Sequence, residues 1–300
     1  MSIVFRPAHA EELYRAEELV IGSINDLTER HGFGAMATLR PPEFQLFSLK
    51  DDPDGLWVAE ADGAILGFAF SWACDDLWFL AELFVAPAHQ GRGIGSGLLA
   101  RTFEHAKKAG AATKALITFT FNIVSQGLYI RHGLFPRLPI YFFSAERDAV
   151  MKRLQGEQLR CSNIEATASH LSNLARIDAG ALGISREKHH RYLLNDSTMK
   201  GYFFHEGADC IGYAYISASG HIGPLAMAKR DAMCAAFKTA LNLAAGSGAS
   251  EVSAFLPGAS GVALSIAAEH GMRITFPMVL VSTRDFGDWT RYLPRNPGFM

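Results

Sequence analysis

An apolar segment, a glycine-rich loop and an amphipathic segment follow one another directly between residues 77 and 106. The first, Leu77–Val85, is interrupted only by Glu82, which is typical of a strand buried on both faces. After the loop, apolar residues recur at helical spacing from residue 98 to residue 106, which predicts an amphipathic helix. Four glycines occupy every second position of the loop: Gly91, Gly93, Gly95 and Gly97. This order predicts an anion site, because loop amides and the helix N-terminus both present N–H donors.

Two common phosphate-binding patterns do not fit this loop. The dinucleotide fingerprint Gly-x-Gly-x-x-Gly would place its third glycine on Ser96 or on Leu98, and a P-loop requires a lysine that the loop lacks. The loop does contain Gln90-x-x-Gly93-x-Gly95 between a strand and a helix. This pattern resembles the acyl-CoA loop of the GNAT superfamily of N-acetyltransferases. The alternative is that the glycines only allow close packing of the helix on the strand.

The resemblance implies that the loop and its neighbouring elements hold acetyl-CoA as the acyl donor. Main-chain amides of the glycines would meet the pyrophosphate, while the backbone of the strand end would lie at the thioester carbonyl. No metal is expected. The residues expected to bind acetyl-CoA are Phe84, Val85, Gln90, Gly91, Arg92, Gly93, Ile94, Gly95, Ser96, Asn122 and Tyr129.

Two residues are expected to be catalytic and to move protons. Tyr129 matches the usual GNAT proton donor to the departing thiolate, and a phenol with a pKa of about 10 keeps its proton at neutral pH. Glu82 is the single charge in its apolar strand, where burial would raise its pKa. It can accept the proton of the amine or hold a cationic substrate. The alternatives are a packed helix tyrosine and an ion pair at a strand end.

The pattern of elements predicts two tandem GNAT-like domains of the mixed α/β class, each a mostly antiparallel twisted sheet flanked by helices. Residues 1–146 are predicted to be the catalytic domain, 147–162 a linker and 163–300 a degenerate second domain. The motifs Ala109-Gly110-Ala111 and His132-Gly133-Leu134 recur at one constant offset, as Ser247-Gly248-Ala249 and His270-Gly271-Met272, which indicates a repeat. At that offset the glycine loop is replaced by Lys229-Arg230-Asp231-Ala232-Met233, so a second coenzyme loop is not expected.

Composition narrows the function classes further. The formal net charge of −2 gives no field that favours nucleic acid or an anionic membrane. Four widely spaced cysteines predict neither a disulfide framework nor a zinc site, and a cytoplasmic location is expected. The neighbouring residues His189 and His190 point about 100° apart on a helix, so a surface or pocket-lining pair is predicted rather than a chelate.

We therefore expect an acetyl-CoA-dependent N-acetyltransferase that acts as a monomer or homodimer on a primary amine of a small molecule. The acceptor would attack directly in a ternary complex, since acyl transfer from a thioester needs no covalent enzyme intermediate. Two alternatives stay open. One is a non-catalytic CoA-binding sensor or interaction module. The other is an acyltransferase that uses another acyl-CoA or a hydroxyl acceptor.

Overall fold

The computed structural model describes residues 2–300, which divide into two compact units. The first unit runs to Phe135 and includes Val281–Arg284, and the second contains Pro136–Leu280 and Asp285–Met300. The sequence pattern also predicts a strand from Pro139 to Ala145, and in this division that strand belongs to the second unit. The domain boundaries drawn from the sequence, at residues 146 and 163, stay a prediction.

The first unit is a five-stranded sheet with helices, in the strand order β1-β2-β3-β4-β5. Its strands pair antiparallel except for the parallel pair β4–β5. The β2–β3 hairpin closes through Asp62 and Gly63, which both have positive φ, as a tight two-residue turn requires. The elements in chain order are β1 (Val4–Pro7), α1 (Leu13–Arg30), α2 (Glu43–Asp51), β2 (Leu56–Ala61), β3 (Ala64–Cys74), β4 (Leu77–Val85), α3 (Ile94–Lys108), β5 (Thr113–Phe119) and α4 (Ile123–Arg131).

The second unit has a larger sheet, in the order β12-β6-β11-β10-β9-β8-β7, with β13 paired to β10. Its elements in chain order are β6 (Phe135–Glu146), α5 (Arg147–Met151), β7 (Arg160–Asn163), α6 (Ala168–Leu182), α7 (Glu187–Asn195), β8 (Met199–Glu206), β9 (Asp209–Ser217), β10 (His221–Met227), α8 (Met233–Ala245), β11 (Glu251–Pro257), α9 (Gly261–Glu269), β12 (Arg273–Ser282) and β13 (Tyr292–Leu293). The predicted linker, residues 147–162, contains α5 and the start of β7.

The core of the second unit is built around α8. Met233, Phe237 and Leu241 of this helix are fully buried and pack with side chains from β8 to β11. Each such side chain contributes roughly 1.5–3 kcal/mol of burial free energy. The helix can be apolar on most of its surface because neighbouring elements cover it.

Strands β4 and β5 are paired over only part of their length. Their parallel register runs from Leu77 opposite Thr113 to Leu80 opposite Leu116, while β4 continues to Val85. On the other side of β4, the register with β3 shifts at the same point, which leaves Ala81 as an extra residue. Such a bulge bends a strand and re-aims the side chains that follow it. The half of β4 that β5 does not pair begins there, directly before Glu82, and it stays paired to β3.

No helix among residues 2–300 combines the length and the apolarity that crossing a bilayer demands.

Candidate active site

A cavity of about 490 Å³ lies in the first unit, where β4 and β5 are no longer paired. Nine of the residues predicted to bind acetyl-CoA line it, and Arg92 and Tyr129 do not. The nine are Phe84, Val85, Gln90, Gly91, Gly93, Ile94, Gly95, Ser96 and Asn122. The segment after β4 and the segment after β5 therefore meet at one opening.

The glycine loop takes a conformation that few other residues adopt. Gly91 and Gly93 have φ values of 76° and 81°, in the left-handed region that favours glycine. A Cβ atom on either residue would meet no atom within 4 Å. These two glycines are thus needed for backbone shape and not for close packing.

The start of α3 leaves its first amides without capping partners. Gly93 is the N-cap, no side chain caps this end, and the first helical bond runs from the amide of Gly97 to the carbonyl of Gly93. The three preceding amides, of Ile94, Gly95 and Ser96, belong to residues that line the cavity. Uncapped first-turn amides with the positive end of the helix dipole form an anion site.

Gln90 fixes the loop to the end of β4. Its side-chain amide donates to the carbonyl oxygen of Val85 at 3.0 Å. The hydroxyl of Ser23, from α1, approaches the same carbonyl at 3.4 Å. This arrangement ties the loop, the strand end and α1 together at the cavity wall.

The charges around the cavity suit an anion. Its lining includes Arg30 and Arg131 and, among the described residues, no Asp or Glu. Arg30 is paired with Asp26 at 2.7 Å, so its field is partly compensated. Arg92 is exposed on the loop beside the cavity.

Asn122 has a local structural role as well as its place in the cavity wall. It is the N-cap of α4, and its side-chain oxygen accepts a hydrogen bond from the amide of Ser125 at 3.2 Å. Ile123 and Val124, the next two residues, line the cavity and are 76% and 80% exposed. The rim at α4 is therefore apolar.

Tyr129 lies on α4 and is only 5% exposed. Burial raises the pKa of its hydroxyl well above the usual value for tyrosine, so the side chain keeps its proton at neutral pH. Its backbone carbonyl accepts the amides of His132 and Leu134, which close the helix. Its role as a proton donor stays a prediction.

Glu82 has a neighbour that the sequence interpretation missed. Its Oε1 accepts a hydrogen bond at 2.9 Å from the side-chain amide of Gln45 in α2, and the same nitrogen donates to Oε2 of Glu17 in α1 at 3.0 Å. The other carboxylate oxygen of Glu82 is buried with no hydrogen-bond partner. The partner is thus an amide, and the ion pair considered from the sequence is not present among the described residues. Glu82 itself does not line the cavity, whereas the next residue of the strand, Leu83, does.

The pKa values of both carboxyl groups in this cluster are raised. Burial is the main cause for Glu82, whose pKa lies well above the usual range; the charge of Glu17 adds to the rise and the Gln45 hydrogen bond opposes it. Burial also raises the pKa of Glu17. One signal was in the sequence, since Glu17 falls on the buried stripe of α1, four residues after Leu13 and three before Val20.

A second polar cluster in the first unit has the residue types of a catalytic triad but no opening. The hydroxyl of Ser71 lies 2.9 Å from Nδ1 of His105, and Nε2 of His105 lies 2.8 Å from Oδ2 of Asp52. Ser71 and His105 are buried, and none of the three residues lines the cavity. A nucleophile must reach its substrate, so this chain of contacts is structural.

The second unit carries ion pairs where the first has its glycine loop. Lys229 contacts Glu206 at 2.5 Å, and Arg230 contacts Asp288 at 2.8 Å. These residues directly precede α8, as the glycine loop precedes α3. The expectation that this region holds no second coenzyme loop stays a prediction.

The prediction of a surface or pocket-lining pair at His189 and His190 is wrong. Both are buried, and His190 lies 2.9 Å from Asp178 and 3.0 Å from the Tyr215 hydroxyl. Arg186 contacts the same carboxylate at 3.0 Å. The sequence spacing gave no sign of this network because its members come from three separate elements. Within residues 2–300, no cluster of His, Cys, Asp or Glu is suited to hold a metal ion.

Comparison with known proteins assigns the region around the cavity to a protein family. Residues 23–134 match the model of the acetyltransferase (GNAT) family. They form a GNAT domain. An uncharacterized N-acetyltransferase of Archaeoglobus fulgidus is 41% identical to the chain over 96 residues, 29% of this chain and 63% of that protein. The chain spans less than two thirds of the length of the curated relatives it matches. The matched region is 30% of one of these relatives and 63% of the other.

Solved structures extend the GNAT likeness in fold to the whole chain. A Pyrococcus horikoshii protein classed with the acetyltransferases has a TM-score of 0.77 at 16% identity and covers 99% of this chain and 96% of its own. A tandem GNAT protein from the clavulanic acid biosynthesis pathway has a TM-score of 0.61 at 14% identity, covering 94% and 98%. The predicted fold class, mixed α/β with tandem GNAT-like domains, is confirmed.

Proposed function

We propose that the chain is an acetyl-CoA-dependent N-acetyltransferase whose chemistry takes place in the first unit. One observation carries the proposal: a single cavity is lined by uncapped first-turn amides of α3 and by the end of β4, the strand that carries a buried carboxyl group at Glu82. The amides suit a diphosphate. Burial raises the pKa of the carboxyl group, which makes its ionised form a stronger base than an ordinary glutamate.

The amides of Gly93 to Ser96 would hold the pyrophosphate, with Gln90 fixing the loop and Arg92 adding charge. The backbone at Phe84 and Val85 would lie along the thioester arm, and the free N–H of the Asn122 side chain would donate to it. Acetyl-CoA supplies an activated acyl carbonyl when bound. The acceptor is a primary amine of a small molecule, whose lone pair attacks that carbonyl directly.

Two protons have to move as the new C–N bond forms and the C–S bond breaks. Glu82 does not itself line the cavity, so it takes the proton that the amine loses through an intervening water molecule. Tyr129 gives its hydroxyl proton to the departing thiolate, and its raised pKa means that the proton is present at neutral pH. Each such transfer contributes typically 10²–10⁴-fold in rate.

A second candidate follows from the position of Tyr129, which does not line the cavity. A CoA-binding module without turnover needs the glycine loop and not the proton donor. An acyltransferase that uses another acyl-CoA or a hydroxyl acceptor would use the same residues as the N-acetyltransferase. A screen of acyl donors and acceptors distinguishes these activities.

The deciding experiment combines binding and turnover. Acetyl-CoA binding is measured by calorimetry, and thiol release is followed with acetyl-CoA, propionyl-CoA and a panel of primary amines and alcohols. An N-acetyltransferase binds acetyl-CoA and releases thiol with at least one amine. Binding without release for any acceptor would favour the non-catalytic module.

A glycine pair tests the location of the coenzyme. Gly93→Val should abolish acetyl-CoA binding, because a β-branched residue cannot adopt its backbone conformation without strain. Gly110→Val is the matched control, since Gly110 also has a positive φ with open space around it but lies beyond the other end of α3. Equal affinity in the two variants would place the coenzyme elsewhere.

A further inference from the structure

The cluster of Glu17, Gln45 and Glu82 has a geometry that the proposed function does not yet use. We propose that Glu17 and Gln45 are positioning residues for Glu82: Gln45 fixes one of its carboxylate oxygens, and Glu17 places a second acidic group on the same amide. The unpartnered oxygen is then the one that takes the proton of the acceptor amine, through a water molecule, since Glu82 lies next to the cavity-lining Leu83 and does not line the cavity itself. This inference rests on the proposed function and deepens it.

The side-chain amide of Gln45 is shared between the carboxylates of Glu82 and Glu17. Its nitrogen donates to Glu82 at 2.9 Å and to Glu17 at 3.0 Å, and a primary amide has only two hydrogens to give. One neutral group thus holds one oxygen of each carboxylate. The second oxygen of Glu82 is buried and without a partner, which is costly unless a proton or a ligand satisfies it.

The surroundings of the Glu82 carboxyl group are apolar or acidic. Helix α1 presents Glu17, α2 presents Gln45, and β3 presents Phe70, which is the cross-strand neighbour of Glu82. The ring of Phe44, from α2, packs edge-on to Phe70 at 5.3 Å. No cation among residues 2–300 pairs with either carboxylate at ion-pair distance. Like charge and apolar surroundings together favour the protonated form of the pair.

The two positioning residues, Glu17 and Gln45, change the pKa of Glu82 in opposite directions. The charge of Glu17 raises the pKa of Glu82, while the hydrogen bond from Gln45 lowers it. Glu17→Gln should therefore move the Glu82 titration to lower pH, by on the order of one pH unit. Gln45→Met, which keeps the length of the side chain and removes the donor, should move it to higher pH. A purely structural role would not produce shifts of opposite sign.

The test reads protonation directly in the full-length chain and needs no acceptor. Infrared spectra of protein with ¹³C-labelled glutamate are recorded against pH, and the Glu82 carboxylic band is assigned by its loss in Glu82→Gln. We expect a band that persists well above the titration of an ordinary glutamate at about pH 4.3. Its midpoint should fall in Glu17→Gln, rise in Gln45→Met and stay unchanged in Glu18→Gln, the matched control on the exposed face of α1.

An ordinary midpoint in the unmodified chain, or shifts of the same sign in both variants, would overturn the proposal. If Gln45→Met does not fold, the near-isosteric Glu17→Gln decides alone, and an unchanged midpoint refutes the role of Glu17. Because the band is read without turnover, a chain that releases no thiol with any acceptor would refute the proposed function while leaving this measurement valid. Where an amine acceptor is found, the acid limb of kcat/KM should move with the infrared midpoint in both variants.

Discussion

Gly97 of α3 lies directly against the ring of Phe5 in β1: a Cβ atom on Gly97 would be 2.3 Å from Cζ of that ring. Three of the four glycines of the loop therefore divide between two physical roles. Gly91 and Gly93 supply positive φ where space is open, and Gly97 allows a helix to approach a strand. The packing alternative drawn from the sequence applies to Gly97 and not to the first two.

The first prediction separates these roles. Gly97→Ala should lower the free energy of unfolding by about 1–3 kcal/mol, because the Phe5 ring has to move out of its place. Acetyl-CoA affinity should change less than twofold. Urea unfolding and calorimetry measure the two quantities. A variant that unfolds normally but fails to bind acetyl-CoA would contradict this assignment.

The second prediction concerns Tyr129. Tyr129→Phe should lower kcat by on the order of 10²-fold, since the thiolate then leaves without a proton from the enzyme. Acetyl-CoA affinity should be unchanged, because only the hydroxyl is removed. Tyr14→Phe, on the exposed side of α1, is the control. Because burial raises the pKa of Tyr129, the hydroxyl should give no basic limb to the rate profile up to about pH 10. An unchanged kcat would exclude Tyr129 as the donor.

The third prediction is that the cluster of Ser71, His105 and Asp52 stabilises the fold and has no part in catalysis. Ser71→Ala leaves a buried ring nitrogen of His105 without its partner, and the free energy of unfolding should fall by about 1–3 kcal/mol. Thiol release per folded molecule should be unchanged. Loss of turnover at full stability would show that the hydroxyl takes part in the reaction.

The fourth prediction concerns the buried network of the second unit. Burial alone would raise the pKa of Asp178, but Arg186 and His190 hold it well below the usual range. A depressed carboxyl pKa contributes stability that is complete above the unfolded pKa of about 3.9 and is lost as the pH falls through the folded value. Asp178→Asn should therefore cost about 3–5 kcal/mol at neutral pH, where it removes the carboxylate that pairs with the buried charge of Arg186.

Urea unfolding between pH 2 and pH 7 measures this dependence. The cost of Asp178→Asn should shrink as the pH falls below about 4, and the exposed Asp209→Asn should show no such cost. A cost that is small at neutral pH, or constant over the whole range, would contradict the assignment.

The local features of this protein can be predicted from its amino-acid sequence. The order of strand, loop and helix and the turn at Asp62-Gly63 depend on residues that are close in the chain, where periodicity and backbone preference act directly. Most residues predicted to bind acetyl-CoA line one cavity for the same reason, because eight of the nine that do lie within residues 84–96.

The start of β6 was less predictable. The sequence placed this strand from Pro139, since prolines interrupt a strand pattern, whereas β6 begins at Phe135. Its antiparallel pairing with β11 starts only at Ile140 opposite Pro257. Residues before that point can include proline because their amides are not needed by β11.

Which side chains surround Glu82 depends on how distant elements pack together, and the sequence pattern does not predict it. Gln45 is 37 residues away in the chain, and Glu17 is 28 residues before Gln45; the contacts exist because α1 and α2 pack on one sheet. The same holds for Ser71 with His105, and for Asp178 with Arg186, His190 and Tyr215. Helical and strand periodicity records which face of an element is buried, but it carries no record of which other element covers that face. Contacts between distant polar side chains follow from that packing.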